Sequence, residues 1–263
     1  MNLKKFMLCG SVAFVCNPCI ADDPIEAPEN NLAQASWTQN AWDNFKSPVS
    51  TKAKYFLLAG AGLTATLLVF EDQIIDPLQK ETIKDKPLGK LSHFGDLAGQ
   101  TYPNLFYIAG MLGYGLIESD LRAKQNASSM FQASLYSILV STTLKYTIRE
   151  KRPNSSTRDS FPSGHTTSVF AFAAYVGCRH SLPWGIAAYS LAGLAGYSRI
   201  NDNRHYLHDV VAGAVIGGSF GLGVCLAENS RQTSLDEDSA DKKVAWYIAP
   251  VFGGASAGLS MSY

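Results

Sequence analysis

Residues 53–70, AKYFLLAGAGLTATLLVF, are an uninterrupted apolar run, about as long as the roughly 20 residues a helix needs to cross bilayer hydrocarbon. Apolar runs recur at 102–117, 130–144, 166–178, 184–197 and 210–227. They are rich in glycine, alanine and serine, the small residues that let helix backbones approach closely. This patterning predicts an all-α fold, a bundle of about six apolar helices. Four of the runs are only 13 to 16 residues long, a length that suits a buried core helix as well as a membrane one. The bundle is therefore read either in lipid, the preferred reading, or as a soluble core. The run at 102–117, with its glycines and tyrosines, is the least suited to cross.

A chain of 263 residues accommodates one large domain or two small ones. Basic and acidic residues balance at 22 each, so nothing draws the chain as a whole toward nucleic acid or an anionic surface. The N-terminus passes from MNLKK through FMLCGSVAFVCNPCIA to DDPIEAPEN. That succession of charged, apolar and polar stretches is that of a secretory signal over 1–21, cut after Ala21, with an uncleaved anchor as the alternative. Residues 22–52 read as a polar segment, 53–227 as the helical domain, and ENSRQTSLDEDSADKK (228–243) as a charged linker. In the tail, 244–263, a Gly-Gly pair precedes alternating Leu259, Met261 and Tyr263, which suggests a short β-hairpin. Cys178 and Cys225 are too few and too far apart for a disulfide scaffold or a zinc site.

Chemistry concentrates in three segments. In SRINDNRHYLHD (198–209), His205 and Asp209 are four apart, which on a helix places their Cβ atoms about 5–6 Å apart on one face. A carboxylate there can hold one imidazole N–H, fix the tautomer and leave the other nitrogen lone pair aimed outward, as a nucleophile or base. Seen alone, such a pair is more often a helix-start hydrogen bond. KYTIREKRP (145–153) sets Lys145 and Arg152 seven apart, about two helical turns, before Pro153 discourages the helix. Alone, it reads as a solvated helix end. FPSGHTTS (161–168) makes a tight turn before an apolar helix, so that backbone N–H groups with Ser163 and Gly164 form an anion site edged by His165. Alone, Ser163 is a helix cap.

Together the segments supply cations, hydroxyl and amide donors, and two histidines, one backed by a carboxylate. A tetrahedral oxyanion such as phosphate asks for that set. Lys145 ends one apolar run, His165 begins the next, Arg199 ends the one after and His205 begins the last. Because antiparallel neighbours alternate direction, all four ends are expected at one mouth of the bundle. Arg149, Lys151, Arg158, Arg204 and His208 read as rim or solvated residues.

The order and spacing of Lys145, Arg152-Pro153, Pro162-Ser163-Gly164-His165, Ser198-Arg199, His205 and Asp209 resemble the type 2 phosphatidic acid phosphatase (PAP2) superfamily. That group includes lipid phosphatases, bacterial class A acid phosphatases and vanadium haloperoxidases. The resemblance covers 145–209 and implies an all-helical bundle that hydrolyses phosphate esters or diphosphates without metal or other cofactor. It implies that His205 attacks phosphorus, that Asp209 orients it, and that His165 protonates the leaving oxygen and later activates water. Lys145, Arg152, Ser163, Gly164 and Arg199 would hold the phosphate oxygens. The leading expectation is a phosphatase for a lipid phosphate or diphosphate, held at a membrane and without a nucleic-acid partner. A periplasmic acid phosphatase on soluble monoesters, a haloperoxidase and a non-catalytic envelope protein are the alternatives. Six crossings after a cut signal would put Lys145 in the cytoplasm, whereas the resemblance implies a site facing the periplasm. The periplasmic reading is adopted, and the oligomeric state is left open.

Overall fold

The apolar runs fold as helices. The computed structural model describes residues 37–70, 76–241, 244–251 and 254–261, so the expected signal at 1–21 lies outside the described residues. The chain forms α1 (Trp37–Ser50), α2 (Ala53–Val69), α3 (Asp76–Asp85), α4 (Leu91–Gly99), α5 (Tyr102–Ile117), α6 (Leu121–Ile148), α7 (Gly164–Arg179), α8 (Leu182–Asn201) and α9 (Leu207–Asp241). The apolar runs supply α2 and α5 to α9, and the mixed stretches around them add α1, α3 and α4. Beyond α9, β1 (Val244–Val251) pairs antiparallel with β2 (Gly254–Met261), with Val251 opposite Gly254.

Helix α7 packs against α6, α8 and α9. The core they share is built from small and medium side chains, among them Met130, Ala133, Val169, Ala173, Tyr175, Ala192 and Val224. On α9, Gly213, Gly217 and Gly221 recur once per turn. A Cβ at each would strike the backbone carbonyl of Ser163, Thr167 and Ala171 respectively, four apart along α7 and the residue before it. The two backbones are thus in contact with no side chain between them, as small-residue helix faces permit.

Two expectations are corrected by this packing. Cys178 and Cys225 form a disulfide: their separation of 47 residues is no obstacle once α7 and α9 lie side by side. The stretch read as a linker continues α9 without a break to Asp241. It holds no glycine or proline, and its first turns are tied down by side chains. Arg231 donates to Glu228 and Asn44, each at 2.9 Å, and Arg179 at the end of α7 donates to Asn229 at 2.9 Å.

Helix α6 opens on Asp120, whose carboxylate accepts from the N–H groups of Arg122 and Ala123. It closes at Arg149, which takes the left-handed conformation (φ 56°). Arg152 therefore does not share a helix face with Lys145, as the spacing had suggested, and reaches the same region from the loop that follows.

Large apolar side chains cover the outside of the bundle, including Leu58 (67% exposed), Phe106 (76%) and Ile117 (80%). Among the described residues, the helical segment Leu207–Ser234 is long and apolar enough to cross a membrane, and α1 with α2, bent by 53°, makes a second candidate.

Candidate active site

The four helix ends meet as the alternation of directions requires. Lys145 stands in the last turn of α6, His165 in the first turn of α7, Arg199 in the last turn of α8, and His205 two residues before α9. The N-terminus of α7 is pinned to the start of α9, because the Ser163 N–H donates to the Asp209 carbonyl at 3.0 Å. Ser163 does not cap α7 with its side chain. Its hydroxyl instead accepts from Thr166 at 3.0 Å.

His205 (2% exposed) and Asp209 (0%) are both buried. Nδ1 of His205 lies 3.5 Å from Oδ2 of Asp209. That oxygen also accepts from the Ser160 hydroxyl (2.6 Å) and the Tyr206 N–H (2.8 Å), so the carboxylate is fixed independently of the imidazole. On the far side, Gln79 of α3 donates to the His205 carbonyl (3.1 Å) and accepts from the Leu207 N–H (3.2 Å). Burial lowers the His205 pKa despite Asp209, which leaves a neutral ring with a free lone pair.

Each of the three cations has an acceptor. Lys145 Nζ donates to the carbonyls of Asp159 (2.7 Å) and Pro162 (2.5 Å), and burial with the nearby Arg152 lowers its pKa to about 8. Arg152 grips Asp159 through two bonds of 2.9 Å. Arg199, almost fully buried, is paired through Nη1 with Asp96 of α4. The same Asp96 oxygen lies 3.2 Å from Nε2 of His165. Burial and the Arg199 charge push His165 down to about 4, against the opposing pull of Asp96.

Asp96, Gln79 and Ser160 are neighbours of this cluster that the motifs do not reveal. Asp96 reaches the site because α4 lies close to it: a Cβ on Gly95 would meet Ser198 and one on Gly99 would meet His165. The glycines four apart in FGDLAG were the available signal. His208, expected at the rim, is instead buried, with Nε2 2.9 Å from Glu150 and 3.4 Å from the second oxygen of Asp209. Its position four residues before the apolar core of α9 turns it inward. Arg149, Lys151, Arg158 and Arg204 are exposed, as read. Glu150, His208 and Asp209 also have donor atoms within 4.8 Å of one another and are the grouping among the described residues that could hold a metal ion.

Two cavities open onto this cluster, and His165 lines both. One, about 580 Å³, is walled by polar residues that include Asp96, Arg152 and Arg199. The other, about 450 Å³, runs from Lys145, Gly164 and His165 to Tyr102, Leu105 and Ile138.

A helical bundle whose helix ends gather cations and a carboxylate-backed imidazole has the groups an oxyanion site requires. Residues 127–232 match the PAP2 superfamily. The chain is 40% identical over 76 residues to a lipid A 1-phosphatase of Porphyromonas gingivalis, a match covering 28% of this chain and 17% of that protein. It is 29% identical over 199 residues to a lipid A 1-phosphatase of Rhizobium johnstonii, covering 66% of this chain and 80% of that one. Superposition on the crystal structure of a transmembrane PAP2-type phosphatidylglycerolphosphate phosphatase from Bacillus subtilis gives a TM-score of 0.49 at 21% identity, over 72% of this chain and 97% of that one.

Proposed function

We propose that the chain is a phosphatase acting on a phosphate group carried by a lipid, through a phosphohistidine on His205. The observation that carries this reading is the meeting of a polar and a partly apolar cavity at His165, beside the cations. An amphiphile has its phosphate at such a junction. The relatives named lipid A 1-phosphatase support the same class.

In the reaction, Lys145, Arg152 and Arg199 exchange their present acceptors for the non-bridging oxygens, with the Ser163 and Gly164 end of α7 assisting. The free nitrogen of His205 attacks phosphorus as the bond to the leaving oxygen breaks, and His165 gives that oxygen its proton. Water then attacks the phosphohistidine, His165 takes the water's proton, and the P–N bond breaks to release inorganic phosphate. Dividing one displacement into two lowers each barrier, and the general acid contributes about 10²–10⁴-fold. The phosphate dianion also favours the protonated form of His165, which burial disfavours in the free site.

The exposed apolar side chains of α2, α5, α6 and α8 support a membrane-bound protein. The Cys178–Cys225 disulfide supports an exported one, since such bonds persist in oxidising compartments.

The test is His205→Ala assayed on a short-chain lipid phosphate and on a chromogenic monoester. Loss on both substrates, with the wild type preferring the lipid, is expected. Full residual activity would refute the nucleophile, and a wild-type preference for the soluble ester would favour the acid-phosphatase alternative.

A further inference from the structure

Glu150 and His208 have no part in the mechanism above, yet they stand directly behind its nucleophile. His208 is buried. Its ring stacks on those of Tyr206 and Phe161, with centroids 5.4 Å and 6.1 Å away. The stacking fixes the plane of the imidazole, so the direction of Nε2 is set by the fold. Nε2 lies 2.9 Å from the Glu150 carboxylate and 3.4 Å from Oδ1 of Asp209. Glu150 is held in place through its backbone, whose carbonyl accepts from the Ser160 N–H at 3.0 Å. The Ser160 hydroxyl in turn donates to Asp209.

Three ligand atoms thus converge on one point. A proton on Nε2 can be given to only one of the two oxygens, and the shorter distance assigns it to Glu150. Oδ1 of Asp209, on a side chain that is 0% exposed, accepts no hydrogen bond among the described residues, a costly state for a buried carboxylate oxygen. A divalent cation in place of that proton satisfies all three atoms at once. Ligands about 2.0–2.2 Å from a tetrahedral ion lie about 3.3–3.6 Å from one another, so the separations found here need only a small adjustment. One imidazole with two carboxylates suits a zinc-class ion, whereas calcium and magnesium ask for larger shells of oxygen. The Glu150 side chain is 26% exposed, so an ion can enter on that side and a water can complete its shell.

We propose that Glu150, His208 and Asp209 form a binding site for a zinc-class divalent cation, and that the bound ion slows turnover through Asp209. The site stands on its own geometry; its effect on turnover rests on the phosphatase reading above. As the ion binds, Nε2 of His208 gives up its proton to solvent. The ion takes Oδ1 of Asp209 while Oδ2 faces His205 at 3.5 Å, so the ion and the imidazole share one carboxylate. Charge drawn toward the ion is lost to His205, and Asp209 then steadies less well the positive charge that forms on the ring during attack. None of the three ligands lines either cavity that opens onto the cluster. Ion and substrate therefore do not compete for space, and the ion lowers kcat with little change in KM.

The test uses tag-free, full-length protein in detergent, stripped with EDTA and dialysed to equilibrium against zinc chloride. Wild type should hold one equivalent more than Glu150→Gln and one more than His208→Asn, two separate variants compared with wild type at equal helix content by circular dichroism. Cobalt(II) in place of zinc should give the visible bands of a tetrahedral site in wild type and not in either variant. Zinc should lower wild-type kcat by about tenfold, the scale of one hydrogen bond to a charged group, with KM within about twofold. Each variant, measured against its own metal-free rate, should lose less than about twofold. Equal zinc stoichiometry in wild type and both variants would overturn the site. Full binding in wild type with kcat unchanged, or with a rise in KM alone, would overturn the action through Asp209. A metal-free wild type without phosphatase activity would instead overturn the phosphatase reading, and the site is then judged by the dialysis and the cobalt spectra.

Discussion

Oδ1 of Asp96 stands 3.2 Å from Nε2 of His165 and is also the oxygen that pairs with Arg199. One carboxylate thus occupies the space between the proposed general acid and the most deeply buried of the three cations proposed to bind phosphate. Asp96→Asn keeps the size and removes the charge. Arg199 is then left for substrate, and inhibition by inorganic phosphate should tighten by about tenfold, the scale of a hydrogen bond to a charged group. His165, deprived of the charge that favours its protonated form, should titrate lower, so the alkaline limb of kcat moves to lower pH. A pH profile with inhibition constants measures both, and no change in either would show that Asp96 is inert.

The backbone contact between α7 and α9 makes a sharp comparison of two glycines. Gly217→Ala forces a methyl group against the Thr167 carbonyl and should cost at least about 1–3 kcal/mol, as overpacking does. Gly62→Ala on α2 meets nothing within 4 Å and should be neutral or stabilising by up to about 1 kcal/mol. Denaturant unfolding in detergent measures the difference, and equal midpoints would mean that the helices can separate freely.

Removing the disulfide with Cys178→Ser and Cys225→Ser opens a loop of 47 residues, which chain entropy values at about 4 kcal/mol. The bond lies about 20 Å along α7 from His165, counted at the helical rise per residue. Unfolding should shift to lower denaturant while kcat changes little. A large loss of kcat in the folded variant would show that the two ends of α7 are coupled.

Acid should destabilise the fold. His165 titrates near about 4 in the folded chain, against 6.5 ordinarily, chiefly because of burial, and His205 is lowered for the same reason. The unfolded chain takes up these protons below about pH 6.5 and the folded chain does not, so stability is full above that pH and falls as the pH drops toward 4. Asp159 acts in the same direction: burial alone would raise its pKa, but Arg152 holds it low, and its contribution disappears as it protonates. Thermal midpoints should fall steadily from about pH 7 to pH 5, and a rise would contradict this balance.

The gathering of cations and histidines at one end of the bundle was readable in the sequence because these groups sit in three short segments whose internal spacing is set by helix geometry. His205 and Asp209 needed only one turn of helix to come together. Asp96 and Gln79 lie in α4 and α3, where no local pattern marks a carboxylate or an amide as functional. Their roles come from the tertiary approach of distant helices. The disulfide was missed for the same reason, since only the adjacency of α7 and α9 brings its sulfurs within reach. The charge of 228–243 was read as linker, yet a solvated helix tolerates that composition as far as Asp241, and Arg231 and Asn229 anchor it. His208 turned inward because it stands one turn before Ala212, on the buried side of α9.

The glycine stripe on α9 has a mechanical consequence. With no compressible side chain between the helix that carries His165 and the one that follows His205, the two histidines keep a set separation and travel as one body. Whatever movement admits a substrate and shuts out water falls to parts outside that pair of helices, such as the loop that carries Arg152.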